Sequence, residues 1–410
     1  MKIWLINHYA VPPQYYPLAR QKNFAKYLMR MGHEVTIFAA STVHNSDLNL
    51  ITDKSEIREM TDDGVRYVLI RCRGYQGNGI SRVINMLEFA MKLPGICKRY
   101  DRPDAIVATS MPPMPCAMGI RLSKKYKCTG VAEIADLWPE SLIEYGIAGP
   151  KNPVVLILRR LEKWIYKKAD SIVFTMGGGY DYIVEQHWEK SIPRDKVFFI
   201  NNGVDLEAFD ENVVKYSFPD EDLDDPDTYK IVYTGSLRKA NEQIFALMDA
   251  IKLMQGAEFE NYRFLIYGKG DYEDRLRNIC RENGYSNVRI KGFVEKKYIP
   301  YILSKCDLNI LDCKDNDVLR FGGSQNKLFD YLASGHPVIS GESNKYSVVR
   351  NDNCGISEAF SDPREIVEAI QTLKSNPISP EHIRSVAENY DFKYLTERLL
   401  EVIQRSKTSE

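Results

Sequence analysis

The run FGGSQNKLFDYLASGHPVIS, residues 321 to 340, collects residue types suited to holding an anion. Ser324 is predicted to cap a short helix, which places Asn326 and Lys327 in its first turn and Asp330 one turn later on the same face. A helix start offers unpaired backbone N–H groups and about half a positive charge, and Gly322 and Gly323 allow a ligand close to the backbone. Lys327 adds a full charge, so the expected occupant is a phosphate. Asp330 lies too deep for the phosphate and suits two hydroxyl groups of a sugar ring, which implies phosphate outside and ribose inside. The plain alternative is a solvated ion pair three residues apart.

A second run, KIVYTGSLRKANEQIFALMDAI, reads as strand, glycine turn and helix, with Gly235, Arg238 and Lys239 in the turn. A glycine turn at the carboxyl end of a parallel strand is where α/β sheets bind ligands, and two cations there suit a diphosphate; ordinary loop charges are the alternative. The GxG of FLIYGKGDYEDRL, with Gly268, is a weak signal by itself. GxGxxG followed by an acid about 20 residues on is missing, which disfavours a nicotinamide site. The acidic DCKDND, 312 to 317, reads as solvated. Asp136 ends the run GVAEIAD before a Trp-Pro turn, where it either orients an acceptor hydroxyl or caps the next helix. His8, after the first strand, lines the same region or is a satisfied loop histidine.

Positioning these residues requires parallel sheets. Apolar runs of five to seven residues alternate with helix-length periodic segments throughout, the pattern of βα units. The expected class is α/β, two Rossmann-like doubly wound parallel-sheet domains, at 1–205 and 206–390, with a C-terminal helix, 391–410, packing back on the first. The length of 410 residues suits two such domains. Eight Cys without a CxxC pair suggest reduced thiols in a cytoplasmic setting. The start MKIWLINHYA is too short in apolar residues for a signal or a span and reads as a buried strand. Net charge is −1, yet residues 1–205 hold 28 Lys and Arg against 21 Asp and Glu. A basic first half suggests an anionic surface or partner.

The ordered set INHYAVPP, Arg20, GHEVTIFAA, ADLWPES, NNGVD, YTGSLRK, NVRIKGFV and GSQNKLFDYLASGHPVI resembles the GT-B retaining glycosyltransferases of family 4. The branch it is most similar to builds bacterial O-antigen, capsule and exopolysaccharide units, often with N-acetylated sugars. The resemblance implies a GT-B fold with a cleft between its domains, the C-terminal one for a nucleotide sugar and the N-terminal one for the acceptor. Residue by residue, it implies Lys239 and Lys327 on the diphosphate, Asp330 on the ribose, and the turn at Gly292, Phe293 and Val294 on the base. Arg20, Asp136, Trp138 and Glu140 fall in motifs that line the acceptor side. Two positions depart from the pattern. Gly322 stands where relatives carry a first glutamate, which leaves donor hydroxyls to backbone N–H groups; Ala135 stands where Arg or His is usual, which leaves the catalytic base unassigned.

The expected reaction needs no cofactor beyond the nucleotide sugar and no metal. Breaking an anomeric C–O bond to a diphosphate leaves about one extra negative charge, which fixed cations and helix dipoles stabilise. The implied donor carries UDP. The implied acceptor is a saccharide or a polyprenyl diphosphate-linked sugar, met at the inner face of an anionic plasma membrane through the basic N-terminal half, with no nucleic acid. The rival readings are a nucleotide-sugar epimerase of similar shape, against which six His count, and a non-catalytic nucleotide-sugar-binding module.

Overall fold

The computed structural model describes residues 1–17, 19–77, 79–144, 146–239, 242–313 and 319–405. The chain divides into two units, Met1–Asn201 with Phe392–Glu410, and Asn202–Asp391.

The first unit is built on β1 (Lys2–Ile6), β2 (Glu34–Ala40), β3 (Ile57–Asp62), β4 (Val65–Ile70), β5 (Ala105–Ser110), β6 (Thr129–Ile134), β7 (Ser171–Phe174) and β8 (Val197–Phe199). They form one sheet in the order β3-β4-β2-β1-β5-β6-β7-β8. β1, β2, β5 and β6 are buried almost throughout, as strands covered by helices on both faces must be. The helices Arg20–Arg30 and Phe392–Arg405 cover one face, where Phe24, Leu28, Leu395 and Leu399 join Ile3, Leu5 and Ile37 in one core. The helices Ile80–Cys97, Pro113–Tyr126 and Pro153–Lys168 lie side by side on the other, the middle one close enough that a Cβ on Gly119 would sit 2.5 Å from that of Ala108.

One pairing departs from the all-parallel expectation: β3 runs antiparallel to β4 at the sheet edge. Its cause is local. Asp63 and Gly64 both take positive φ, +47° and +81°, the backbone a two-residue hairpin turn demands.

Arg20, expected at the acceptor, is 7% exposed and braces this unit instead. Its Nε donates to Glu133 (2.8 Å), and its two other nitrogens to the carbonyls of Asn201 (2.6 Å) and Ile200 (2.9 Å). Thr109 (2.7 Å) and Gln21 (3.0 Å) donate to the other oxygen of Glu133. A buried carboxylate thus ties the first helix to β5, to β6 and to the segment after β8.

The second unit holds β9 (Tyr229–Thr234), β10 (Tyr262–Tyr267), β11 (Val288–Gly292), β12 (Leu308–Ile310), β13 (Val338–Ser340) and β14 (Gly355–Ser357). Their order is β11-β10-β9-β12-β13-β14, with every pairing parallel. The chain winds outward from β9 to one side, then returns to β12 and winds to the other. The carboxyl ends of β9 and β12 therefore flank the point where strand order reverses, where open α/β sheets leave a crevice. Among the described residues no helix is long and apolar enough to cross a membrane.

Removing the guanidinium of the brace leaves Glu133 buried and uncompensated. Arg20→Met is expected to lower unfolding stability by about 3–5 kcal/mol, read from urea denaturation; an unchanged midpoint would show that the pair carries no stability.

Candidate functional site

The residues singled out in the second half converge on the carboxyl edge of the second sheet. Tyr331 sets the geometry. Its hydroxyl accepts from the Thr234 N–H (2.9 Å) and lies 3.3 Å from the Thr234 and Ile310 carbonyls, pinning the helix Asn326–Ala333 to the last residues of β9 and β12. Leu328, Phe329 and Leu332 are buried beneath it. The start of this helix is therefore held over the reversal point.

Lys327 is half-buried there. Its Nζ donates to the Leu311 carbonyl at the end of β12 and lies 4.3 Å from the centroid of the Tyr233 ring on β9. Burial pushes its pKa down to about 8, against the pull of Asp312 and Cys313. Among the described residues no carboxylate stands within ion-pair distance of it. A lysine held by a carbonyl dipole and an aromatic face, with no carboxylate partner among the described residues, can take up an anion without giving up an ion pair.

The cap differs from expectation. Gln325 occupies the N-cap position and makes no side-chain cap bond; Ser324 lies one residue earlier, where its carbonyl accepts from Asn202 Nδ2 (2.6 Å). Gln325 is turned instead to Asp312 (2.9 Å). Asp312, read as solvated, is 5% exposed and also accepts from the Gly341 N–H (2.5 Å) and the Ser340 hydroxyl (3.2 Å). It joins the loops after β12 and β13 to the helix start. The rest of that acidic run, 314–317, lies outside the described residues.

Gly322, at φ +98°, and Gly323 follow, but their N–H groups are occupied. Gly322 donates to the Leu319 carbonyl (2.7 Å) and Gly323 to Glu342 Oε1 (3.0 Å). Glu342, 4% exposed, was not singled out from sequence. Its signal in the sequence is a Gly-Glu step just past an apolar run, a strand-end position like that of Gly235. It brings a carboxylate beside Gly323, next to the position where the resemblance to family 4 implies a glutamate.

Across the crevice, the turn after β9 interlocks with that after β10. The Gly235 N–H donates to the Tyr267 carbonyl (3.0 Å), and a Cβ on Gly268 would fall 2.0 Å from the Gly235 carbonyl oxygen, so no other residue fits. Gly268 thus shapes the loop. Arg238 and Lys239 are exposed beside it, with no ion pair among the described residues; the Lys239 N–H donates to Asp271 (3.1 Å). The turn after β11 leaves Phe293 70% exposed, with Val294 half-buried against the core. Asp330 is half-buried, its pKa raised by burial and opposed by Lys296 at 3.9 Å.

The residues proposed for the acceptor lie in the first unit and differ among themselves. His8 is fully buried, its Nε2 2.6 Å from Asn85 Oδ1 and its Nδ1 without a partner among the described residues. Burial lowers its pKa to about 3 and keeps it neutral, so it presents no charge to a ligand. Glu140 is paired with Arg159 (2.7 Å) and buried, while Trp138 is half-buried. Asp136 is exposed, and no hydrogen bond to its carboxylate occurs among the described residues. It caps no helix, and the protein around it desolvates the carboxyl enough to raise its pKa. Of the four first-unit residues and Arg20, Asp136 alone combines exposure, an unengaged carboxylate and a raised pKa.

Two family models match the chain: Glycosyltransferase Family 4 over residues 21–208 and Glycosyl transferases group 1 over residues 228–376. A curated relative, the "Probable glycosyltransferase WbjE" of Pseudomonas aeruginosa, is 21% identical over 269 residues, 64% of this chain. The match spans 62% of that relative's length. Among solved structures, sucrose-phosphate synthase from Thermosynechococcus elongatus superposes with a TM-score of 0.69 at 15% identity, covering 100% of both chains. HepE of Anabaena, solved with UDP, gives 0.67 at 13% identity, over 99% of this chain and 100% of that one. These likenesses establish the GT-B fold, two sheets each of the Rossmann type.

With Lys327 titrating near 8, its protonated form attracts a diphosphate and its neutral form does not. Affinity for a nucleoside diphosphate at this crevice is therefore expected to fall about threefold to tenfold as pH rises from about 7 to about 9. Calorimetry reads this, and Lys327→Arg, which stays charged, should flatten the profile. A steep profile surviving in that variant would place the titrating group elsewhere.

Proposed function

Because the chain belongs to the glycosyltransferases of family 4, we propose that it moves a sugar of the N-acetylated hexosamine type from a UDP donor to a saccharide or polyprenyl diphosphate-linked acceptor, with retention at the anomeric carbon. The building of a bacterial surface polysaccharide is the setting this reaction fits. The observation that carries the reading is Lys327, a desolvated cation at the strand-order reversal of the second sheet with no carboxylate partner among the described residues.

The donor's diphosphate would take Lys327 from one side and the exposed Arg238 and Lys239 from the other. Its ribose hydroxyls would meet Asp330, displacing the weak contact with Lys296, and the base would lie along the backbone at Phe293 and Val294. The solved complex of HepE with UDP supports the choice of nucleotide. Glu342, beside Gly323, would read the hydroxyls of the transferred sugar in place of the glutamate that Gly322 replaces.

In the reaction the bond from the anomeric carbon to the β-phosphate oxygen breaks and a bond to the acceptor oxygen forms on the same face. The departing phosphate oxygen takes the acceptor proton. Charge grows on the diphosphate as the bond lengthens, and cations fixed beforehand stabilise that state without reorganising. Asp136 would orient the acceptor hydroxyl.

Two measurements test this. Incubation with UDP-sugars and a lipid extract should release UDP together with a glycosylated product of retained configuration; interconversion of donor sugars without UDP release would indicate an epimerase. Lys327→Ala should lower kcat/KM by about 10² to 10³. Near-normal turnover in that variant would remove the assignment.

A further inference from the structure

The helix Ile80–Cys97 has two apolar faces. One is buried on the sheet through Met86, Phe89, Ala90 and Leu93. The opposite one is uncovered: Ile80 is 79% exposed and Met91 70%, with Val83, Ile84 and Leu87 between them at 38–43%. The spacing 80, 84, 87, 91 is a single stripe along the helix. The same helical layer carries a second exposed apolar group, Val154, Leu156 and Ile157, at the start of the helix Pro153–Lys168. Contact between the middle and outer helices fixes them as neighbours, with Arg121 stacked 5.3 Å from the Trp164 ring.

Charge decides what covers this surface. The three helices of the layer hold ten Lys and Arg against two acids, Glu88 and Glu162. Glu162 is buried, bonded to Tyr166 and Tyr182 (2.8 Å each), and adds no charge to the surface. Arg121, Lys125, Arg160, Lys167 and Lys168 have no ion-pair partner among the described residues, and all are exposed. A second copy presenting the same face would meet like charge. A nucleic acid would leave the apolar stripe uncovered. An anionic bilayer answers both features, with acyl chains against the stripe and headgroups against the cations.

We propose that the layer formed by the helices Ile80–Cys97, Pro113–Tyr126 and Pro153–Lys168 is a membrane-docking face that inserts Ile80, Ile84, Leu87 and Met91 at the surface of an anionic bilayer. It gives physical form to the lipid-linked acceptor of the proposed reaction but draws on different residues from the donor site, so the two readings fail separately.

The test is flotation of the full chain with vesicles of phosphatidylcholine alone and with added phosphatidylglycerol. The wild-type chain should float with the anionic vesicles and not with the neutral ones, and high salt should weaken the binding. Ile84→Glu with Met91→Glu should reduce the floated fraction at least about tenfold, as should Arg160→Glu with Lys167→Glu and Lys168→Glu, while UDP binding stays unchanged in both. Wild-type protein that stays unbound, or double and triple variants that float as well as it does, would overturn the proposal. So would sedimentation showing a wild-type dimer that the Ile84→Glu, Met91→Glu variant dissociates, since the face would then be an interface between copies.

Discussion

A half-buried amine with no carboxylate partner among the described residues is the constraint on which the edge of the second sheet turns. Asp312 raises the proton affinity of Lys327 through its charge, while its own oxygens accept from Gln325, Ser340 and Gly341. That arrangement supplies a favourable field without closing an ion pair. Partial desolvation then makes the ammonium ready for a polyanion, because what it lacks in hydration a phosphate can return. Tyr331 holds the helix start against the ends of β9 and β12, which keeps the backbone of Lys327 at the reversal point.

The crevice itself follows from winding order. Six parallel strands starting at the centre and filling each side in turn leave two loops diverging at β9 and β12. Glycines at 235 and 268 let the turns after β9 and β10 nest at backbone contact, which brings Arg238 and Lys239 to the same edge as Lys327. Preorganisation of this kind suits a reaction whose difficulty is charge development on a leaving group, since the stabilising groups need not move as the bond breaks.

Much of this was legible in the sequence because it follows from short-range rules. Strands of a buried parallel sheet read as unbroken apolar runs, and the glycine-flanked helix start at 322–327 is legible as a strand-end turn leading into a helix. The features that are not legible in the sequence depend on tertiary neighbours. Arg20 resembled a ligand-reading residue, but its partner Glu133 is 113 positions away. Asp312 looked solvated because its run is acidic, and only the folded loops show three donors aimed at it. Glu342 has a strand-end position in the sequence, and the Asp63–Gly64 pair has the composition of a hairpin turn, the local pattern that produces β3.

The most direct measurement is a crystal structure with UDP bound. The account predicts the diphosphate at the start of the helix Asn326–Ala333, with Lys327 Nζ released from the Leu311 carbonyl and within hydrogen-bond distance of a phosphate oxygen. A nucleotide bound elsewhere, or a diphosphate in that crevice with Lys327 still turned to Leu311, would contradict it.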